Sequence, residues 1–168
     1  MVVIRSAEDG DLPAITEIYN ALLDSTTYEW TETPHTVEER TEWLTGKRAA
    51  GLPALVAVDQ DEVVGWATYG EFRDSTRWPG YRFTVEHSIH VAESHWGRGI
   101  GRLLVAELEA HARAEGRWVM VAATDSSNVP SIEFHKRLGY VEVAHMPGVG
   151  EKWGRRLDLV LLQHDLTT

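Results

Sequence analysis

Residues Phe83–Gly101 read FTVEHSIHVAESHWGRGIG, an alternating strand that leads into a short loop whose glycines open a helix. Gly97, Gly99 and Gly101 have no Cβ, so the backbone can turn tightly there and come close to a ligand. The first N–H groups of the helix and its dipole favour an anion at that point. Tight packing alone is the alternative explanation. Because Arg102 follows in place of the Lys-Ser/Thr pair of a P-loop, the stretch predicts a diphosphate cradle outside the nucleotide-hydrolysing class.

A second motif lies further along the chain. Its members are Asn128, Ser131, His135, Gly139 and Tyr140, in the pattern Asn-x-x-Ser-x-x-x-His-x-x-x-Gly-Tyr. Together with the strand and the Gly-x-Gly turn, this pattern resembles the acyl-CoA-binding signature of the GNAT superfamily of N-acetyltransferases. Within it, TVEHSIHV, VMVA, HKRLGY and EVAHMPGVGEKWGRRLDL are similar to the phosphinothricin N-acetyltransferase group, with its relatives that acetylate methionine sulfoximine and methionine sulfone.

The resemblance implies a GNAT-like α/β fold, with a mixed central sheet flanked by helices in a single domain over residues 1–168. It also implies acetyl-CoA as cosubstrate and the amine of a small amino-acid-like compound as acceptor. The chain has no cysteine, so a Cys-acyl intermediate is excluded and acetyl transfer is expected to be direct or to use another nucleophile. The alternatives are acetylation of a protein N-terminus or another antibiotic amine, and a noncatalytic acyl-CoA-binding sensor.

The resemblance assigns cofactor-binding residues to two parts of the chain. They are Ile89, His90, Val91, Gly97, Arg98, Gly99, Ile100, Gly101 and Arg102 in the first part, and Asn128 and Ser131 in the second. Backbone groups near Ile89–Val91 are expected to stabilise the oxyanion, and Asn128 to hold the pantetheine arm. The superfamily usually has Arg or Gln where this chain has Trp96, so we expect changed packing around the phosphates with binding retained.

Composition indicates a compact enzyme domain and excludes several other classes. The chain has 168 residues, of which 43% are hydrophobic, enough for one core. The net charge of −10 opposes binding to nucleic-acid phosphates, although Arg98 and Arg102 flank the cradle. The apolar runs are strand-sized, so no membrane span is expected. Because the N-terminus lacks the pattern of a signal peptide, we expect a cytoplasmic protein.

Strands and helices alternate, which favours an α/β sandwich with a mixed sheet. Asp11 is a candidate cap for a first helix, and Thr36–Glu39 reads as a capping box for a second. The remaining expected elements are strands at 2–5, 54–58, 63–69, 82–91, 118–123, 140–145 and 156–163, and helices at 100–115 and 131–138. The turn-rich Pro147–Gly150 is expected to join the last two strands.

Period-two alternation sorts the side chains of the central strand. Val85, His87 and Ile89 share one face, with Phe83 and Val91, whereas Thr84, Glu86, Ser88 and His90 share the other. Glu86 is the one carboxylate within that strand. It is either a structural acid hydrogen-bonded across strands or a general base whose pKa is raised by partial burial. We favour the base, acting through a water, because an amine must lose a proton during acylation.

His135 occupies the position where many superfamily members have a Tyr that protonates the departing CoA sulfur. The alternative is a packing histidine, and acid catalysis there can add only modestly, since a thiol of pKa about 8.5 already leaves readily at neutral pH. We therefore rank His135 second to Glu86. A metal site is not expected, because His87 and His90 project from opposite faces of the strand and no metal-binding motif accompanies them.

The candidate acceptor-binding residues lie mainly in loops, where binding residues commonly occur. They are Tyr28, Trp30, Arg73, Arg77, Glu86, Lys152 and Trp153. By the resemblance, Arg73 or Arg77 would bind an amino-acid carboxylate through a bidentate pair; the alternative is that both are solvated surface charges. Lys152 and Trp153 would serve the acceptor pocket of their own subunit or of the neighbouring one in a homodimer.

Overall fold

The computed structural model describes residues 1–168 and contains seven strands and four α-helices. They are β1 (Val3–Ser6), α1 (Leu12–Asn20), α2 (Val37–Ala49), β2 (Ala54–Asp59), β3 (Glu62–Glu71), β4 (Thr84–Val91), α3 (Ile100–Ala114), β5 (Val119–Asp125), α4 (Val129–Arg137), β6 (Val141–Lys152) and β7 (Arg155–Asp165). The strands form one sheet in the order β1-β2-β3-β4-β5-β7-β6. Because β4 and β5 are parallel while β5 and β7 are antiparallel, the sheet is mixed, which confirms the predicted fold class.

The chain divides into two compact units, each made of three segments. The first unit comprises Met1–Ala21, His35–Gly70 and Ser88–His111, and the second comprises Leu22–Pro34, Glu71–His87 and Ala112–Thr168. Strand β4 passes from the second unit into the first between His87 and Ser88. The single domain expected over residues 1–168 stays a prediction. No helix in the structure is long and apolar enough to span a membrane.

In the first unit, β1, β2 and β3 pair antiparallel. The turn between β2 and β3 is made by Gln60 and Asp61, which both adopt positive φ angles of 50° and 69°. Two such residues match the twist of the strands in a tight hairpin, so Gln60 and Asp61 join β2 and β3 directly. The predicted capping box is also confirmed, because Thr36 Oγ1 accepts from the N–H of Glu39 and the Glu39 carboxylate accepts from the N–H of Thr36.

Asp11 holds the N-cap position of α1, but its side chain does not cap that helix. The carboxylate accepts hydrogen bonds from both terminal nitrogens of Arg5, at 2.7 and 2.8 Å, and from the N–H of Glu8 at 2.7 Å. The Arg5 hydrogen bond also lowers the pKa of Asp11. The prediction that Asp11 caps α1 was therefore wrong. Its carboxylate bonds to Arg5 on β1, because a charged guanidinium group is a stronger donor than a helix N–H.

In the second unit, the turn between β6 and β7 does not lie where the sequence predicted it. Pro147–Gly150 lies inside β6, where four steps from Met146 to Gly150 match only two along β7, so the extra residues form an irregularity in the strand. The hairpin turns instead at Trp153 and Gly154, whose φ angles are 52° and 71°. A Pro-Gly pair is a strong local turn signal, but strand pairing with β7 continues past it.

Burial along β4 follows the predicted alternation only as far as His87. Val85 and His87 are buried, as expected, but His90 from the predicted polar face is also buried, at 8% exposure. In the first unit the His90 ring is stacked on Trp66, with ring centroids 4.5 Å apart, and lies edge-on to Tyr19 at 5.4 Å. Aromatic side chains on α1 and β3 therefore cover His90, although it lies on the face of the strand opposite Val85 and His87.

Candidate active site

The glycine turn before α3 has the geometry expected of a phosphate cradle. Gly97 and Gly99 adopt φ angles of 74° and 79°, in the left-handed region that favours glycine. A Cβ built on either residue would meet no atom within 4 Å, so the space beside this backbone is open. Ile100, the first residue of α3, is buried and fixes the start of the helix. These residues can therefore present helix N–H groups to an anion.

The two arginines of this turn differ in their pairing. Arg98 donates to the carboxylate of Asp59 at 2.8 Å, so its guanidinium is tied to the end of β2. Arg102 lies in the first turn of α3 and is exposed. The structure thus favours Arg102 over Arg98 as the side chain able to reach a phosphate group.

Trp96 has a defined structural role. Its indole N–H donates to the backbone carbonyl of Val91 at 2.7 Å, and the ring is half exposed. This bond joins the end of β4 to the start of the glycine turn, within the first unit. It uses one of the two lone pairs of the Val91 carbonyl oxygen.

Glu86 lies on β4 in the second unit, opposite Val121 of β5, and is half buried. Burial raises the pKa of its carboxyl group, while the charge of Arg73 acts in the opposite direction. A carboxylate with a raised pKa is a stronger base, which is the property expected of a residue that takes a proton from an amine.

Arg73 and Arg77 are both exposed in the loop between β3 and β4. The Arg73 guanidinium carbon lies 5.2 Å from the centroid of the Phe72 ring, and that of Arg77 lies 4.7 Å from the Trp78 ring. Arg73 differs in that its charge acts on Glu86. Of the two arginines, Arg73 therefore has the better support as a partner for an acceptor carboxylate beside the candidate base.

His135 on α4 is buried and its ring is held by a backbone contact. Its Nδ1 lies 2.7 Å from the carbonyl oxygen of Ser131, so Nδ1 must carry the proton, and Nε2 has no partner. Burial lowers the pKa of His135, which favours the neutral ring. In this tautomer Nε2 is an acceptor, so the arrangement disfavours the acid role predicted for His135.

His87 is the neighbour of His135, with ring centroids 5.1 Å apart. Both of its ring nitrogens are buried without a partner, and burial together with His135 lowers its pKa to about 3. His87 is thus a neutral core residue of the second unit. In the structure no group of three His, Cys, Asp or Glu side chains is arranged to hold a metal ion.

Asn128 caps α4, because its side-chain oxygen accepts from the N–H of Ser131 at 3.2 Å. That contact leaves the amide NH₂ group of Asn128 to donate to a ligand. The predicted pair Asn128 and Ser131 is therefore brought together, with a helix-capping role that the sequence motif did not reveal.

A polar pocket of about 250 Å³ in the second unit contains two of the predicted acceptor residues, Tyr28 and Trp153. Its other lining residues are Ser25, Thr26, Thr27, Ser127 and Arg155. Sequence reasoning missed Ser127 and Arg155, and no motif or spacing points to either. A pocket with hydroxyl groups, two aromatic rings and one cation suits a small, polar, oxyanion-bearing molecule.

Trp30 and Lys152 lie outside that lining set and contact its framework. The Trp30 indole N–H donates to Asp125 at 3.2 Å. Lys152 is 1% exposed and donates to three backbone carbonyls of the Leu22–Pro34 segment. Its ammonium group has no further proton to offer a substrate, so the substrate-binding assignment of Lys152 stays a prediction that its geometry does not favour.

The predicted site residues fall into two sets. The first unit holds Ile89, His90, Val91, Gly97, Arg98, Gly99, Ile100, Gly101 and Arg102, and the second holds Tyr28, Trp30, Arg73, Arg77, Glu86, Asn128, Ser131, His135, Lys152 and Trp153. The first set contains candidate cofactor-binding residues only. The second contains the candidate catalytic and acceptor-binding residues, together with the cofactor-binding candidates Asn128 and Ser131.

Comparison with known proteins identifies the family of the chain. Residues 15–140 match the acetyltransferase (GNAT) family, to which this chain belongs. Over 164 residues the chain is 44% identical to the L-methionine sulfoximine/L-methionine sulfone acetyltransferase of Pseudomonas paraeruginosa, which spans 97% of this chain and 94% of that protein.

Two solved structures share the fold. One is a GNAT superfamily phosphinothricin acetyltransferase from Sinorhizobium meliloti in complex with acetyl-CoA, with a TM-score of 0.91, 33% identity and coverage of 98% of this chain and 88% of that one. The other is a ribosomal-protein-alanine N-acetyltransferase from Brucella melitensis, with a TM-score of 0.92, 40% identity and coverage of 97% and 99%. The chain is thus an acetyltransferase by family.

Proposed function

We propose that the protein is an acetyl-CoA-dependent N-acetyltransferase that acts on the amine of a small amino-acid-like compound, of the phosphinothricin, methionine sulfoximine or methionine sulfone type. The observation that carries this proposal is the glycine turn before α3, where Gly97 and Gly99 adopt left-handed conformations and leave open space for a diphosphate. The half-buried Glu86 on β4 supplies a candidate base, and the exposed Arg73 a candidate partner for an acceptor carboxylate. A base and a carboxylate-binding cation are what an enzyme needs to bind and deprotonate an amino acid. The names of the relatives from Pseudomonas paraeruginosa and Sinorhizobium meliloti support the same substrate class.

The proposed reaction is direct transfer. The neutral amine attacks the thioester carbonyl, the new C–N bond forms, the C–S bond breaks, and CoA leaves as the thiolate. Glu86 takes the amine proton, through a water where the amine does not reach it directly. The N–H groups of Gly97–Arg102 hold the diphosphate, and the amide NH₂ of Asn128 donates to the pantetheine arm. Backbone N–H groups of Ile89–Val91 stabilise the developing oxyanion.

A thiol-release assay with acetyl-CoA and a panel of amines tests this function. We expect turnover with methionine sulfone, methionine sulfoximine or phosphinothricin, and little with simple alkylamines that lack a carboxylate. Binding of acetyl-CoA without thiol release for any amine would instead assign the protein as an acyl-CoA sensor.

Acetylation of a protein N-terminus is the second candidate, favoured by the name of the similar Brucella melitensis structure. The pocket beside Tyr28, at about 250 Å³, suits an amino acid better than a folded peptide chain. Competing a peptide with an N-terminal alanine against methionine sulfone in one assay distinguishes the two, since the ratio of kcat/KM values measures specificity.

We also propose that the protein is a cytoplasmic homodimer. Strand β6 is at the end of the sheet order and exposes Val141, Val143 and Val149, which are 63%, 51% and 51% exposed. An apolar edge strand of this kind is an aggregation risk unless it is covered, and a second copy of the chain would cover it.

A further inference from the structure

Lys152, the last residue of β6, is a buried lysine without a carboxylate partner. Its Nζ donates to the carbonyl oxygens of Leu23 at 2.7 Å, Thr26 at 2.8 Å and Glu29 at 2.9 Å. An ammonium group has three protons, so every donor is used. All three acceptors belong to the Leu22–Pro34 segment, which connects α1 to α2.

The three carbonyl groups are spaced three residues apart along a segment that is not a regular helix or strand. Such groups converge on one point only when the backbone curls around it. Burying a lysine is costly unless its charge is met by hydrogen bonds, and leaving three carbonyls without donors is costly in the same way. The ammonium group and the curled backbone therefore depend on one another, and Lys152 acts as the point around which the segment folds.

The same segment forms one wall of the polar pocket. Ser25, Thr26, Thr27 and Tyr28 line that pocket, and all four lie between the outer two carbonyls that Lys152 binds. The lining residues also include Trp153, the immediate neighbour of Lys152 in the hairpin turn. Any change in how Lys152 holds the carbonyls would thus move the pocket wall.

Further contacts attach the segment to the same hairpin. The N–H of Trp153 donates to the Glu32 carboxylate at 3.1 Å. The Trp30 ring packs on Gly150 so closely that a Cβ there would lie 2.2 Å from the ring carbons. Lys152 is the buried member of this set, and these other contacts are secondary attachments of the segment.

We propose that Lys152 is a positioning residue that sets acceptor affinity by holding the Leu22–Pro34 segment as the pocket wall, without itself touching the acceptor. The proposal rests on the proposed function, because it assumes that the polar pocket receives the acceptor substrate. It reassigns Lys152 from a substrate ligand to the residue that shapes the site.

Lys152→Met tests this, because methionine keeps the buried chain and removes all three donors. We expect KM for methionine sulfone to rise about tenfold, with kcat and the KM for acetyl-CoA within about twofold of the parent. Amide hydrogen exchange of residues 24–30 should accelerate while that of β5 and β7 stays at the parental rate. A direct substrate ligand would raise KM without changing exchange in the segment.

Lys47→Met is the matched control. Lys47 is also a half-buried lysine that donates to a backbone carbonyl, that of Tyr69 at 2.7 Å, but it lies in the first unit. We expect this variant to leave both the KM for methionine sulfone and exchange of residues 24–30 unchanged. An equal effect of the two lysine variants would overturn the positioning role.

Lys152→Gln keeps the proposal testable if Lys152→Met does not fold. Its amide group retains two of the three donors, so we expect a smaller rise in KM for methionine sulfone and a smaller acceleration of exchange in residues 24–30. Parental exchange and parental KM in folded Lys152→Gln would overturn the proposal. Exchange does not require catalysis, so a parent protein that acetylates no amine rejects the proposed function separately, while exchange still decides whether Lys152 orders the segment.

Discussion

At the scale of single residues, environment gives similar side chains different roles. The guanidinium group of Arg98 forms an ion pair with the Asp59 carboxylate. The positive charge of Arg73 instead opposes the increase in the pKa of Glu86 that burial causes. His135 is held neutral with its free lone pair on Nε2, so it is a poor proton donor, and Glu86 has the raised pKa of a base. The ranking of Glu86 above His135 as a catalyst therefore gains physical support from their surroundings.

Glu86→Gln should lower kcat by about 10²–10⁴, the usual contribution of general acid–base catalysis, with acetyl-CoA binding retained. His135→Ala should lower kcat much less. Because burial raises the folded-state pKa of Glu86, activity of the parent should fall as pH falls through that raised pKa, and Glu86→Gln should lose this acidic limb. A profile of kcat against pH at saturating substrates measures both. If His135→Ala were the slower enzyme, the ranking would be wrong.

The same substitution should also affect stability. A carboxyl whose pKa is raised on folding binds its proton more tightly in the folded state, so its ionisation destabilises the fold as pH rises above the unfolded pKa. Glu86→Gln removes that cost, and its Tm should exceed the parental Tm at pH 7 but not at a pH below the unfolded pKa. Thermal unfolding at the two pH values measures the difference.

Arg73→Ala should raise KM for methionine sulfone by about tenfold and leave the affinity for acetyl-CoA unchanged, because it removes a charged hydrogen-bond partner of the acceptor carboxylate alone. Arg77→Ala is the matched control from the same exposed loop and should have little effect. Steady-state kinetics of both variants checks this. A larger effect from Arg77→Ala would transfer the carboxylate-binding role to that residue.

At the scale of elements, the glycine turn and α3 depend on backbone conformation more than on side chains. Gly97 and Gly99 precede the helix in left-handed conformation, and Gly116 follows it in the same conformation with φ of 69°. A Cβ at Gly99 or at Gly116 would meet open space. Substitutions at Gly99 and at Gly116 should therefore cause similar backbone strain, so that they differ mainly in which end of α3 they affect.

Gly99→Asp should abolish the increase in Tm that acetyl-CoA gives to the parent, because it puts a side chain and a negative charge where the diphosphate binds. Gly116→Asp should lower the Tm of the free protein by a similar amount and keep the acetyl-CoA-dependent increase. Thermal shift at a series of acetyl-CoA concentrations measures this. An unaltered shift in folded Gly99→Asp would remove the cofactor role from the turn.

At the scale of the whole molecule, the exposed apolar edge of β6 predicts the oligomeric state. We expect light scattering to give a mass of about twice the 18.9 kDa chain. Val143→Lys on the exposed edge should shift the mass toward the monomer and make Tm less dependent on protein concentration. A parental mass of one chain would reject the dimer.

The sequence by itself determined the features that rest on local interactions. The glycine turn and the capping box of α2 each depend on a few neighbouring residues, so the residue types predict them. The strand that carries Glu86 was also predictable, since alternation within eight residues defines it.

Only the tertiary structure decided the features that join distant parts of the chain. Lys152 binds Leu23 across 129 positions, and Arg98 pairs with Asp59 across 39. The hairpin turn was predicted at Pro147–Gly150 but lies at Trp153 and Gly154, because strand pairing with β7 outweighs a local turn preference. Partners of this kind are selected by packing in three dimensions, and no spacing along the sequence encodes which carbonyl a buried ammonium will meet.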